Sequence, residues 1–356
     1  MPWKEGGKWR GGVSYQKKRY RSRGFTTKTA ARQWEIEKLV ALKQSEQRKQ
    51  KRDFSLAEII ERFLSKKVHD DKREATIRRL QFGLQHWQSY FTQNNLLYIS
   101  ELERAHLSDY QQWRRGQITS RYKPPSLTTI NHELKAIRQC FKWAEWELNI
   151  DNPFHQIRLN KIPKPDPPKY LTIEEIELIE EEAKKDRRKT CFYEAFALLV
   201  RTGMRSNEAC QLEITDVDLE KKQIILPALK TKSNSPRIIP IGESLKPILQ
   251  QLITDAIAKK HTLLLRTRTG KAQQPQNLYR RFKNILKKLY DEGKMKDVER
   301  IGIHVLRKTY ISHLVMKGVD PARVMSIVGH EEYSTMKRYL YLSPEYRNRS
   351  LDILEY

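Results

Sequence analysis

Cysteine is scarce in this chain. Cys140, Cys191 and Cys210 are far apart, odd in number and outside any C-x-x-C pattern, which argues against a disulfide framework and a zinc site and leaves them as reduced filler. Long apolar runs are missing too. Stretches such as AFALLV at 195–200 fall far short of the roughly 20 residues that a spanning helix requires. The opening MPWKEGGKWR lacks the apolar segment of a secretory signal. Acidic residues are outnumbered, 43 Asp and Glu against 69 Lys and Arg, giving a formal net charge of +26. A field of that size calls for a polyanionic partner, and without a membrane span nucleic acid is the first candidate. The expectation is a soluble, cytoplasmic protein with no membrane partner. Its 356 residues, 38% of them hydrophobic, suffice for two or three domains with real cores.

The clearest break is LNKIPKPDPPKY at 159–170, where four prolines among polar residues favour an extended connector. The reading divides the chain into a basic module over 1–50, a helical domain over 51–160, a proline-rich linker over 161–170 and a last domain over 171–356. In the first, KWRGGVSYQKKRYRSRGF alternates aromatic and basic residues around Gly11 and Gly12, and TTKTAARQWEIEKLVALKQ follows with helical spacing. That pattern predicts a three-stranded sheet backed by one helix, too small for an enzyme but able to present cations to a DNA major groove. In the second, FSLAEIIERFL opens with a capping box from Ser55 to Glu58, and TTINHELKAIRQCFKWAEWEL spaces Ile130, Leu134, Ile137, Phe141 and Trp143 along one face. Arg138 and Lys142 on that helix either face phosphates or keep it soluble. In the last domain, a second capping box runs from Thr172 to Glu175, CFYEAFALLVRTG forms an apolar helix closed by Gly203, and QIILPALKTKSNSPRIIPI supplies short strands around a turn. The fold class is therefore multidomain: a small β-sheet plus helix, an all-α bundle, and a mainly α domain with a small antiparallel sheet.

Four pieces of the last domain carry charge suited to a phosphate. In TGMRSNEACQL, Arg205 follows the helix-ending glycine and Glu208 stands three residues on, placed to hold its guanidinium. Lys232 lies in the turn KTKSNSPR. In IHVLRKTYISHLV, His304 and Arg307 are three apart on one helix face, a proton carrier beside a group that grips two phosphate oxygens. His313, nine residues past His304, is expected to be a core histidine with a satisfied hydrogen bond. The fourth piece, VGHEEYSTMKRYLYL, sets His330 nine residues before Tyr339. Each alone has an ordinary structural explanation as a solvated or packed residue.

Taken in order, TGMRSNEACQL, Lys232, HVLR, VGH and Tyr339 resemble the tyrosine recombinase family, the phage-type integrases, across the whole last domain. The two upstream segments are similar in architecture to the arm-binding and core-binding domains of lambda-like integrases. Lys308 stands where many relatives carry histidine, and Val328 where leucine is commoner. The resemblance implies that Arg205, Arg307 and His330 surround the scissile phosphate and that Lys232 protonates the leaving 5′ oxygen. It implies further that His304 assists proton movement, that Glu208 orients Arg205, and that Tyr339 attacks to give a 3′-phosphotyrosyl bond. No cofactor and no metal are implied.

Among the tyrosines, a helix over STMKRYLYL starting from a Ser334 cap would set Tyr339 and Tyr341 about 200° apart, so that both cannot face one site. Tyr341 is then expected to pack, and Tyr333 to meet packing or solvent. The implied partners are double-stranded DNA at core-type and arm-type sites, a homotetramer on DNA, DNA-bending accessory proteins and a directionality factor. A tail, LDILEY, is expected to dock on its own domain or on a neighbouring subunit. The competing readings are a type IB topoisomerase-like enzyme and a non-enzymatic DNA-binding protein of the same fold.

Overall fold

The computed structural model describes residues 2–15, 18–49, 53–119, 122–163, 166–185, 191–231 and 235–343. Lys232 and the tail therefore lie outside the described residues. The chain divides into two compact units, residues 1–164 and 165–356.

The first unit opens with three antiparallel runs, as the sequence pattern predicts: Trp9 exchanges backbone hydrogen bonds with Phe25 at 2.8 and 2.7 Å, so the middle run, interrupted at Gly11, is paired along both edges. β1 (Trp3–Glu5) pairs with β2 (Lys8–Arg10), and β3 (Gly12–Tyr15) with β4 (Lys18–Arg21), both antiparallel. Gly6 and Gly7, both at positive φ, make the first turn. The interruption at Gly11 falls where an added Cβ would stand 2.7 Å from the Ala31 carbonyl of α1 (Lys28–Lys49). Backbone must pass there too closely for a side chain. The alternating aromatics carry cations: Arg21 lies over Trp3, Lys28 over Trp9 and Lys38 over Tyr20.

The same unit continues as a helical bundle of α2 (Leu56–His69), α3 (Glu74–Gln93), α4 (Ala105–Gly116) and α5 (Leu127–Leu148). Ser55 caps α2 as its sequence predicts, accepting from the Glu58 N–H. Ile130, Leu134, Ile137 and Phe141 of α5 are fully buried around Trp87, while Arg138 and Lys142 are exposed. The core encloses one ion pair. Arg114 donates twice from Nε and once from Nη2 to the Glu133 carboxylate, and the Tyr110 hydroxyl donates to the same group at 2.8 Å.

The second unit begins with α6 (Ile173–Lys185), capped reciprocally by Thr172 and Glu175. α7 (Phe192–Thr202) is its central buried helix and α8 (Ser206–Cys210) follows closely. β5 (Val217–Asp218), β6 (Gln223–Leu226) and β7 (Arg237–Pro240) form one antiparallel sheet in sequence order. Pleating sends Ile224, Leu226 and Ile239 inward and Ile225 and Ile238 outward, so Arg237 points inward with Ile239. Then come α9 (Lys246–Ala258), α10 (Pro275–Asp291), α11 (Val305–Met316), α12 (Pro321–Val328) and α13 (Tyr333–Lys337). α11 to α13 enclose a small core of their own, built from Ile311, Val315, Val324, Val328, Met336, Tyr339 and Leu342. His313 is satisfied as its sequence position suggests, its Nε2 lying 3.0 Å from the Leu171 carbonyl. Among the described residues no helix is long and apolar enough to cross a membrane.

Removing one partner of a buried ion pair strands the other charge, so Glu133→Ala is expected to destabilise the bundle by about 3–5 kcal/mol. Replacing the pair together, as Arg114→Met with Glu133→Leu, is expected to cost less than Glu133→Ala alone. Urea unfolding monitored by tryptophan fluorescence compares the two, and equal losses would show that Glu133 acts independently of Arg114.

Candidate active site

The site grows from the end of α7. Gly203 closes that helix at φ +63, and a Cβ there would stand 2.4 Å from the Tyr310 ring of α11, so only glycine lets the two helices meet. Two residues later Arg205 stands at the start of α8. Its backbone N–H donates to Glu208 Oε2 at 2.7 Å and its Nη1 to Glu208 Oε1 at 2.9 Å. The orientation that the sequence spacing predicts for this pair is the one found. Glu208 is almost wholly buried and has a second cationic partner: Arg237 donates through Nη2 at 2.5 Å and through Nη1 at 3.2 Å. Burial works against a charged carboxylate, but Arg237 and then Arg205 outweigh it and hold the Glu208 pKa below the ordinary range.

Arg307 enters from the first turn of α11. Its Nη1 donates to the Gly203 carbonyl at 2.8 Å and its Nη2 to the Val328 carbonyl at 2.5 Å. One guanidinium thus ties together the C-terminal ends of α7 and α12. Burial first, then the neighbouring Arg205, pushes its pKa down to about 9. At neutral pH it remains a cation.

Gly329 ends α12 at φ +68 and turns the chain into His330. Burial, then Arg307 and Arg205, depresses the His330 pKa to about 4, and its buried Nδ1 has no hydrogen-bond partner among the described residues. His304 precedes α11. The protein packed around its ring and then Arg307 push its pKa down as well, although the residue keeps an exposed edge. Both shifts disfavour the imidazolium, and the one at His304 is weakened by that residue's exposure to solvent.

Tyr339 corrects part of the helix reading. α13 starts from Glu332, not from a Ser334 cap, and ends at Lys337; the Ser334 hydroxyl donates instead to the Glu332 carboxylate at 3.1 Å. Tyr339 lies past the helix end, where its N–H donates to the Met336 carbonyl and a 3-10 turn over 340–342 begins. Tyr341 packs as expected, but Tyr339 is the more deeply buried of the two. Tyr339 is only 5% exposed and belongs to the small α11–α13 core, with Tyr341 partly buried against it. Tyr333 is exposed, in line with solvent contact. Burial raises the Tyr339 pKa, with Arg338 and then Arg307 pulling it down. Arg307 is joined to the same small core through its bond to the Val328 carbonyl.

Arg205, Glu208, His304, Arg307, His330 and Tyr339 are thus neighbours in one region, and Arg237 joins them as a residue the sequence reading passed over. The adjacent isoleucines of PRIIPI do not say which faces inward; the sheet register does, burying Ile239 and with it residue 237. Lys230, near the Lys232 turn, is bound to Glu213 and Asp216 at 2.6 Å each. Although burial opposes its charge, those two carboxylates raise its pKa. It is an anchor of the turn. Among the described residues no group of three or more His, Cys, Asp or Glu side chains is placed to hold a metal ion.

Residues 169–345 match the model of the phage integrase family. Tyrosine recombinase XerC of Staphylococcus haemolyticus (strain JCSC1435) is 26% identical over 266 residues, covering 72% of this chain and 82% of that protein. XerC of Bacillus subtilis (strain 168) is 28% identical over 249 residues, covering 66% and 77%. Among solved structures, a lambda integrase dimer bound to a COC' core site shares the fold over 99% of this chain and 97% of that one, with a TM-score of 0.66 and 14% identity. The XerH site-specific recombinase bound to difH substrate does so over 79% and 80%, with a TM-score of 0.61 and 23% identity. On these likenesses the chain belongs to the tyrosine recombinase family as a tyrosine-type site-specific recombinase.

Proposed function

We propose that this recombinase is an integrase, joining a phage or other mobile element to double-stranded DNA and excising it again. The observation that carries the reading is the convergence of Arg205, Arg307 and His330 beside Tyr339. In this scheme the two guanidiniums and the imidazole hold the non-bridging oxygens of the scissile phosphate and stabilise the charge that builds in the pentacovalent transition state. The Tyr339 oxygen bonds to phosphorus, and its proton passes to a neutral histidine, His304 or His330. The bond to the 5′ oxygen breaks, and Lys232 protonates that oxygen. The product is a 3′-phosphotyrosyl link with a free 5′ hydroxyl, which attacks the corresponding junction of a second strand and releases the tyrosine. Bond energy is carried through the intermediate, so no nucleotide cofactor is consumed.

The integrase reading is supported by the basic hairpin module ahead of the bundle. Xer relatives are matched over about two thirds to three quarters of this chain, whereas the fold shared with lambda integrase extends over nearly all of it. In this reading residues 1–50 bind arm-type DNA, 51–160 bind core-type DNA, 161–170 link them to the catalytic domain, and 171–356 carry the chemistry. The enzyme works as a homotetramer on DNA, with DNA-bending accessory proteins and a directionality factor. The net charge of +26 supplies the electrostatic part of binding.

Selection from a random duplex library with Tyr339→Phe protein supplies a core half-site for testing. On it, Tyr339→Phe is expected to bind but form no covalent adduct on SDS gels, while Tyr333→Phe and Tyr341→Phe retain cleavage, all in the presence of EDTA. An adduct in Tyr339→Phe would refute the nucleophile assignment.

The His330 pKa of about 4 lies below the unfolded value of about 6.5, so the unfolded chain binds more protons between those limits. The stability this neutral ring contributes is complete above about pH 6.5 and lost as pH falls toward 4. His330→Gln is expected to flatten part of the acid decline in melting temperature across that window; an unchanged slope would contradict the depressed pKa.

Deleting residues 1–50 is expected to abolish high-affinity arm-site binding, spare core-site cleavage and reduce the salt slope of binding to a full attachment site. Unchanged affinity and slope, measured by fluorescence anisotropy, would remove the module from DNA binding.

A further inference from the structure

The catalytic scheme uses the guanidiniums of Arg205 and Arg307 but leaves a third one in the same region, Arg237, unexplained. Arg237 has a side chain only 4% exposed and sits on the inward face of β7, a position that pleating would normally give to an apolar residue. A buried guanidinium is costly to hold unless its charge is met. Among the described residues it is met by one carboxylate, Glu208, at 2.5 and 3.2 Å, and Glu208 is already bound to Arg205. One carboxylate therefore serves two guanidiniums, and the trio carries a net charge of +1. Arg205 beside Glu208 without Arg237 would carry none.

Arg237 also meets the other side of the site. Gly329 lies so close that an added Cβ would stand 3.1 Å from Arg237 Cδ and 3.3 Å from Nη1. The next residue is His330, and the field of Arg237 acts on both His330 and Arg307.

We propose that Arg237 is a positioning residue of the recombination site: it holds Glu208 so that Arg205 keeps its positive charge available to the scissile phosphate, and it fits against Gly329 to set the place of His330. The inference rests on the phosphate-site reading above. It makes a prediction that a packing role does not, because the damage from losing Arg237 comes mainly from Glu208, which is then free to neutralise Arg205 alone.

The test measures the first-order rate of covalent adduct formation by the full chain at saturating selected half-site, for Arg237→Met, Arg237→Lys, Glu208→Gln and the pair Arg237→Met with Glu208→Gln. Arg237→Met is expected to slow cleavage by roughly 10²-fold, about the effect of losing one transition-state donor. Adding Glu208→Gln is expected to recover about tenfold of that loss, because the uncompensated carboxylate is gone. Arg237→Lys, which keeps the charge, is expected to lie between wild type and Arg237→Met, and it carries the test if the methionine variant does not fold. NMR titration of the histidines in the DNA-free protein is expected to show His330 ionising at higher pH in Arg237→Met than in wild type. Cleavage by Arg237→Met within twofold of wild type would overturn the proposal, as would a double variant slower than Arg237→Met or an unmoved His330 titration. Tyr339→Phe runs beside them: an adduct in that variant sinks the phosphate-site reading itself, whatever Arg237 does.

Discussion

The catalytic unit depends on a buried carboxylate held between two guanidiniums. Glu208 accepts from Arg205 on one side and Arg237 on the other, and it also accepts the backbone N–H at the start of α8. A buried charge network is weak evidence for stability, since desolvation offsets much of the attraction. Its consequence here is geometric: α8, β7 and the turn after α12 are fixed against one anion. Arg307 does the complementary work by donating to the buried carbonyls that end α7 and α12. Those carbonyls are negative dipole ends, so a cation there is favourable before any phosphate arrives. The site is a preorganised cluster of positive charge.

In the proposed reaction that arrangement lets a packed tyrosine act as nucleophile. Tyr339 sits in a small apolar core with Val315, Val328 and Met336, where burial disfavours the phenolate. The same core is edged by Arg307, whose charge favours it. Two histidines stand by as acceptors. Chemistry then requires only a modest change in the balance of charge at the phenol, and a bound phosphate among the arginines is such a change.

Local signals were the legible ones. The caps at Ser55 and Thr172, the glycine stop at Gly203 and the apolar face of α5 depend on neighbours in sequence, and the structure has them where the sequence puts them. The same holds for Arg205 with Glu208, three residues apart. What was not legible depends on distant partners. The middle run of the basic module is interrupted at Gly11, which passes close under α1, a contact no local pattern encodes. α13 stops at Lys337 and buries Tyr339 ahead of Tyr341 because its residues pack on α11 and α12. Arg237 looked like one more cation on a basic chain until the sheet register turned it inward onto Glu208.

The central claim is that Arg205 and Arg307 act by neutralising the charge on the non-bridging oxygens of the scissile phosphate. The most direct measurement compares cleavage by Arg307→Ala on two half-sites, one with an ordinary phosphodiester at the scissile position and one with a methylphosphonate, which has lost that negative charge. Arg307→Ala is expected to be nearly inactive on the phosphodiester and to regain adduct formation on the neutral linkage. Equal inactivity on both, with Arg307→Ala folded and bound to DNA, would contradict it.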